Sequence, residues 1–431
     1  MIFVRNLILT LFLIGCTTPS GIDQKDVKRI LETLSSDEMQ GRRTFTPGIE
    51  KAAAFIASEF EEIGLKPIDN LSSFYQRFTA TSVAIKESKV VINNKLIEKN
   101  NYFIRLSDGD ISWTDTESVE VSFINTNDDF GKKASEAFAR NGNLLVMVST
   151  EHKDIFNRYR SYMERPRIVL PTDSESSANL VFVLMDTNAI DQLYVEASSA
   201  AEEKQLANIV GKIEGNKKDE IVVFSAHYDH LGIGKPVEGD SIFNGANDDA
   251  SGTTAVIELA NYYKQKGTPE RTLIFATFTA EEIGGFGSRY FSKQLDPDKI
   301  VAMINIEMIG KPSKEGINSA WLTGWNKSDL GEIMEHNLDG TEYTLYADPY
   351  PEQNLFYRSD NATLARLGVP AHSISTTQID IDTDYHQVSD ELATLDVENI
   401  TQTINAIAIG AQGIVDGRQT PTRINPDEVK R

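Results

Sequence analysis

Three stretches of this chain are apolar without alternation: EIVVFSA (220–226), TLIFATFT (272–279) and IVAMIN (300–305). A strand with one face in water alternates apolar and polar residues. A strand covered on both faces does not. Between these runs lie segments with helical spacing. ASGTTAVIELANYYKQ (250–265) places Ala255, Val256, Leu259 and Ala260 on one side, and GSRYFSKQL follows the second run. Buried runs alternating with helices predict an α/β fold: a three-layer, mixed, largely parallel sheet covered by helices on both faces.

The ends of these runs carry the chemistry. The first leads into His227-Tyr228-Asp229-His230, the second into Ala280-Glu281-Glu282, the third into Glu307. Ligands of open α/β sheets lie beyond the carboxyl ends of the strands, so three ends bearing imidazole and carboxylate converge. Two polar segments add to them. NGANDDASG (244–252) offers Asp248 and Asp249 just ahead of a helix, and Asp384-Tyr385-His386 precedes the last one. Glu307 poses the sharpest question. An isolated ionised carboxylate in an apolar run is very unfavourable unless it is paired or bound to metal. Imidazole with carboxylate is a zinc-type ligand set. Each acid alone reads as a solvated loop or a helix cap; their joint occurrence at strand ends points to a metal site. His230 reads as a packing or hydrogen-bonding residue, His372 as a core histidine and His336 as an exposed helix residue.

The remainder of the 431 residues frames this centre. A net charge of −22 excludes nucleic acid and anionic lipid surfaces as natural partners, since both need basic surface. A single cysteine excludes an internal disulfide framework. It ends the segment MIFVRNLILTLFLIGC, whose short apolar run suits a secretory signal better than a membrane span. Residues 1–15 are thus expected to be a signal peptide and 16–22 a tether. Residues 23–80 read as the helical opening of the main domain: Val27, Ile30, Leu31 and Leu34 share a face, and a second helix runs from Thr46-Pro47 to Gly64. Residues 81–205 change to short strand-like runs with no ligand cluster and read as an inserted α+β subdomain. Residues 206–415 are expected to form the domain that carries the candidate metal site. Its final helix is expected from near Thr394, with Val397, Ile400, Ile404 and Ile407 as its stripe, and 416–431 as a loose polar tail.

HYDHLG, GANDDASG, TAEEIGGFGS, NIEMIG and YHQVSDE, in this order, resemble the signature blocks of the co-catalytic di-zinc aminopeptidase family, in clan MH. That family includes glutamate carboxypeptidase and glutaminyl cyclase. LSSDEMQGRRTFTPGIEKAAAFIASEFEEIGLKP resembles the opening of its secreted bacterial members, and LIGC resembles a lipoprotein lipobox. The first resemblance implies a zinc exopeptidase, most readily an aminopeptidase acting on peptides with a free N-terminus. His227, Asp248 and Glu307 would hold one of two zinc ions, and Asp248, Glu282 and His386 the other. Glu281 would be the general base and Asp229 a partner that steadies the site. The Asp248–Asp249 peptide bond would be cis. Such ions lie roughly 3.5–4 Å apart and activate a shared water. Tyr385 is the candidate donor to the oxyanion. Two departures stand out: Glu307 where better-known members have Asp, and Asn361 where many have His. The alternatives are a glutamate-carboxypeptidase-like or glutaminyl-cyclase-like enzyme, for which Arg289, Arg358 or Arg366 could bind a substrate carboxylate, or an inactive lipid-anchored peptide-binding protein. The lipobox implies a lipid anchor at Cys16 and a place in the bacterial cell envelope.

Overall fold

The computed structural model describes residues 21–107, 109–171 and 178–429; the expected signal peptide and Cys16 lie outside them. These residues divide into two units. One comprises the chain up to Gln76 together with Ala207 onward, the other Arg77–Leu206.

In the first unit, helix α1 (Gln24–Leu34) begins at Asp23, whose carboxylate accepts the Lys25 amide, and buries Val27, Ile30, Leu31 and Leu34. Helix α2 (Pro47–Ile63) has proline in its first turn and stops at Gly64, whose φ of 79° is open to glycine at no steric cost. The sheet uses β1 (Leu193–Ile213, of which the part from Ala207 lies in this unit), β2 (Lys217–His227), β3 (Arg271–Phe278), β4 (Ile300–Ile306), β5 (Ser319–Leu322), β6 (Thr344–Ala347) and β7 (Ala371–Ser375) in the order β6-β5-β7-β4-β2-β3-β1. The centre, β7-β4-β2-β3, is parallel. The β5–β7 and β1–β3 pairs are antiparallel. The sheet is therefore mixed, with a parallel core.

The apolar runs occupy this core because both faces are covered. Val222 and Phe224 join one cluster with α1, α2, α3 (Gly252–Gln265) and the last long helix. Val223 points the other way, into a cluster with Phe291 of α4 (Phe286–Ser292). A helix over each face removes any reason for the strand to alternate, as the sequence predicts. α5 (Leu330–Asn337) and α6 (Asn361–Ala365) follow. The last long helix, α7 (Val397–Gly410), starts three residues later than Thr394, because Asp396 accepts the Asn399 amide and caps it there.

The C-terminal stretch corrects an expectation. Residues 416–429 are packed down and not loose: Ile424 and Val429 are buried in the second cluster. Arg423 donates to the carbonyls of Pro297 and Ile300, at 3.0 and 2.8 Å. Two isolated apolar residues in a polar stretch carry no period to read.

The second unit has its own four-stranded sheet, in the order Tyr102–Arg105, Ala178–Leu184, Gly142–Val148, Glu120–Ile124. Two helices, Phe130–Phe138 and Lys153–Met163, accompany it. Phe103 stacks on Phe182 at 4.7 Å in its core.

Candidate metal centre

Parallel strands β2, β3 and β4 end on the same edge of the sheet, and their next residues form the site. His227 closes β2, Glu281 and Glu282 follow β3 by three and four residues, and Glu307 is the first residue after β4. Asp248 comes from the turn before α3, where small residues allow close approach. A Cβ on Gly252 would lie 2.3 Å from the Ile306 carbonyl oxygen. The Asp248–Asp249 peptide bond is cis. His386 sits in a loop at φ +59°.

Asp248 is the pivot. Its Oδ1 lies 3.2 Å from His227 Nε2 and its Oδ2 lies 3.2 Å from His386 Nε2. Glu307 Oε1 stands 3.3 Å from the same nitrogen of His227, and Glu282 Oε2 stands 3.3 Å from that of His386. One carboxylate thus faces two imidazoles, each flanked by a further carboxylate. All five expected ligand residues meet here. His227, Asp248 and Glu307 form one compact donor group; His230, Asp248 and Glu282 form another. His230 is drawn into the site through Nδ1, 2.7 Å from Glu282 Oε1. That nitrogen is 3.9 Å from Asp248, farther than His386 Nε2, so His230 is better placed to orient Glu282.

No lysine or arginine forms an ion pair with Asp248, Glu281, Glu282 or Glu307 among the described residues. Burial alone would lower the His386 pKa. Asp248 and Glu282 outweigh it and raise the pKa to about 10. A cluster of carboxylates and imidazole nitrogens whose acids have no lysine or arginine partner matches the donor set of divalent zinc.

Asp229 is placed differently from a simple imidazole partner. Its carboxylate accepts the amides of Glu281 (3.0 Å) and Glu282 (3.3 Å) and the Thr44 hydroxyl (3.2 Å). His227 Nδ1 instead meets the Asp229 backbone carbonyl, at 3.1 Å, with the nearer carboxylate oxygen 3.9 Å away. Asp229 therefore fixes the loop bearing Glu281 and Glu282, while its backbone fixes the imidazole. Burial raises the Glu281 pKa well above the usual carboxylate range. Tyr385 lines the cavity and stacks on His386, ring centroids 4.0 Å apart.

Several supporting residues escaped the sequence reading. Ser359 donates to Glu307 Oε2 at 2.6 Å. Asp390 accepts the amides of Asn247 (2.8 Å) and Asp248 (3.0 Å). Asp249 accepts those of Gly252 (3.1 Å) and Met308 (3.0 Å). Arg42 is fully buried and donates to the carbonyls of Leu34, Tyr228, Asn244, Gly245 and Asp248. Asp390 does sit inside the YHQVSDE block, which was its only signal; Ser359 lies outside all five blocks. Asn361 is buried and bonded to the carbonyls of Phe356 and Ala371, away from the cavity wall. His372 is a core histidine between Ser328 and Thr323, and burial lowers its pKa to about 4. His336 is exposed and pairs with Asp339.

The segment 208–409 matches the model of peptidase family M28. The M28 segment contains all five ligand-bearing blocks, so the resemblance carried by those blocks stands. A vacuolar membrane protease of Schizosaccharomyces pombe is 30% identical over 155 residues, covering 32% of this chain and 17% of that protein. This chain therefore spans under a fifth of the length of that relative. An aminopeptidase from Aneurinibacillus sp. strain AM-1 has a similar fold, with a TM-score of 0.55, 17% identity and coverage of 95% of this chain and 96% of that one. A zinc aminopeptidase from Bacillus subtilis aligns with a TM-score of 0.54 and 16% identity, over 95% and 99% of the two chains.

Proposed function

We propose that this chain is a zinc-dependent exopeptidase, an aminopeptidase that releases the N-terminal residue of peptides. The observation that carries the reading is Asp248, whose two oxygens face the nitrogens of His227 and His386. Zinc held by His227, Asp248 and Glu307, and by Asp248, Glu282 and His386, would supply Lewis acidity toward a peptide carbonyl and a water of lowered pKa. Glu281 takes that water's proton and returns it to the leaving amine; its enclosure suits a group that must hold a proton near neutral pH. The Tyr385 hydroxyl donates to the developing oxyanion. The free α-amine of the substrate sits among the acids Glu281 and Glu307.

The wall beyond the acids supports an uncharged side chain on the substrate. Met308, Trp321, Leu355 and Ile379 line a cavity of about 240 Å³. The hydroxyls of Ser375 and Thr377 turn to the Met308 carbonyl, at 3.0 and 2.9 Å, leaving their carbon atoms for a ligand. The lipobox at Leu13–Cys16 supports a lipid anchor and a location in the cell envelope for the mature chain.

Elemental analysis combined with hydrolysis of leucine p-nitroanilide tests the reading. The protein is expected to carry two zinc ions, to lose turnover to a chelator and to regain it with zinc. Glu281→Gln should retain both ions while kcat falls by about 10²–10⁴. Turnover that survives chelation, or near-normal turnover in Glu281→Gln, would overturn it.

A further inference from the structure

The cavity wall is acidic at its base, with Asp248, Glu281, Glu282 and Glu307, yet it also includes the guanidinium of Arg358. Arg289 and Arg366 do not line the cavity. Arg358 is exposed, and its contacts are weak and neutral: Tyr385 Oη at 3.4 Å and Gln353 Oε1 at 3.5 Å. No carboxylate pairs with it among the described residues, in a chain where 64 acids outnumber 42 lysines and arginines. A guanidinium presents a planar fork of donors that matches a carboxylate in two parallel hydrogen bonds. Here that fork has no carboxylate partner among the described residues, at the wall of the candidate site.

Its position sets what it can reach. Tyr385 stacks on His386, and Arg358 meets the far end of the same phenol. The guanidinium thus stands one aromatic ring away from the imidazole that faces Asp248 and Glu282. One extended residue spans about 3.3–3.6 Å. Two extended residues span about 6.6–7.2 Å, so the group to test against Arg358 is a carboxylate one or two residues beyond the reacting carbonyl.

We propose that Arg358 binds a substrate carboxylate on the leaving side of the scissile bond and so selects short peptides with a free C-terminus or peptides with an acidic residue after the cut. This rests on the exopeptidase reading above. On the N-terminal side the acids Glu281 and Glu307 favour the substrate's α-amine, and among the described residues Arg358 is the one lysine or arginine lining the cavity that can meet a carboxylate. Uncharged leaving groups gain nothing from it.

The test compares Leu-Ala, Leu-Ala amide and Leu-Asp amide on the zinc-loaded protein, with and without Arg358→Met. Binding of the same three compounds is measured by calorimetry in a Glu281→Gln background, with and without the second change. Arg358→Met should raise KM for Leu-Ala about tenfold with kcat nearly unchanged, and should leave Leu-Ala amide within twofold. Calorimetry should show the same tenfold weakening for Leu-Ala and a change within twofold for Leu-Ala amide. A matching loss for Leu-Asp amide assigns side-chain carboxylates as well; a loss confined to Leu-Ala assigns the terminal one. Equal losses for Leu-Ala and its amide would overturn the proposal, because Arg358 would then act through Tyr385. Unchanged binding of all three would also overturn it. Calorimetry decides this even if no compound is hydrolysed, a result that would strike the exopeptidase reading instead. Cleavage of N-acetyl-Leu-Ala at the rate of Leu-Ala would turn that reading toward a carboxypeptidase, with selection by Arg358 intact.

Discussion

Glu307 is one methylene longer than the aspartate that the family resemblance leads one to expect, and both of its oxygens are used. Oε1 faces His227 and Oε2 takes the Ser359 hydroxyl. The extra reach is thus accommodated by a hydroxyl from a different loop, with β4 ending normally at Ile306. A second acid, Glu258 on α3, is buried for no catalytic purpose. Burial, with Asp26, Glu59 and Asp23 nearby, raises its pKa to about 8 against the opposing pull of Arg29. Arg29 is already committed to both oxygens of Glu59, at 2.6 and 2.8 Å. The unfolded chain loses the Glu258 proton near pH 4.5, and the folded chain keeps it to about pH 8. Folding therefore takes up a proton in this window, and stability falls as pH rises through it. Glu258→Gln should stabilise the protein at pH 8 by up to about 4 kcal/mol and have little effect near pH 4.5. Urea melts at the two pH values check this; an equal effect at both would show that the charge is not the cause.

Among the elements, the segment after β4 is tied to the loop carrying His386. Lys311 Nζ lies 2.6 Å from Asp382 Oδ1 and 2.7 Å from Asp384 Oδ2. Glu307 and His386, on opposite sides of Asp248, are thereby held in one frame. Lys311→Met should weaken zinc retention by about 10–100-fold, as loss of an outer partner typically does, while the melting temperature moves little. Dialysis against graded chelator measures it, and unchanged retention would dismiss the link. This frame was invisible in the sequence, whereas the sheet was not. The apolar runs announced doubly covered strands, and the residues at their ends announced ligands, because both signals are local. Arg42 and Tyr228 are 186 residues apart, and Asp390 lies 142 residues from the Asp248 amide it accepts. Contacts to backbone groups carry no side-chain pattern at either end.

For the whole molecule, the M28 segment from 208 to 409 falls in the first unit, whereas Arg77–Leu206 folds around a sheet of its own. Among the described residues, no helix is long and apolar enough to cross a membrane. The lipid anchor proposed above is placed at Cys16. Cys16→Ser should abolish labelling by a fatty-acid probe and move the protein from the membrane fraction to the soluble one; labelling that persists would remove the anchor. The N-terminal stretch has a further part to play. Arg42 satisfies five carbonyls, three of them in the turn that bears Asp248 and one beside His227. The turn that bears Asp248 therefore has these carbonyls satisfied only once the segment around Arg42 has packed back onto it. A protease that clips just past Arg42 would loosen that turn without touching any residue of the candidate site.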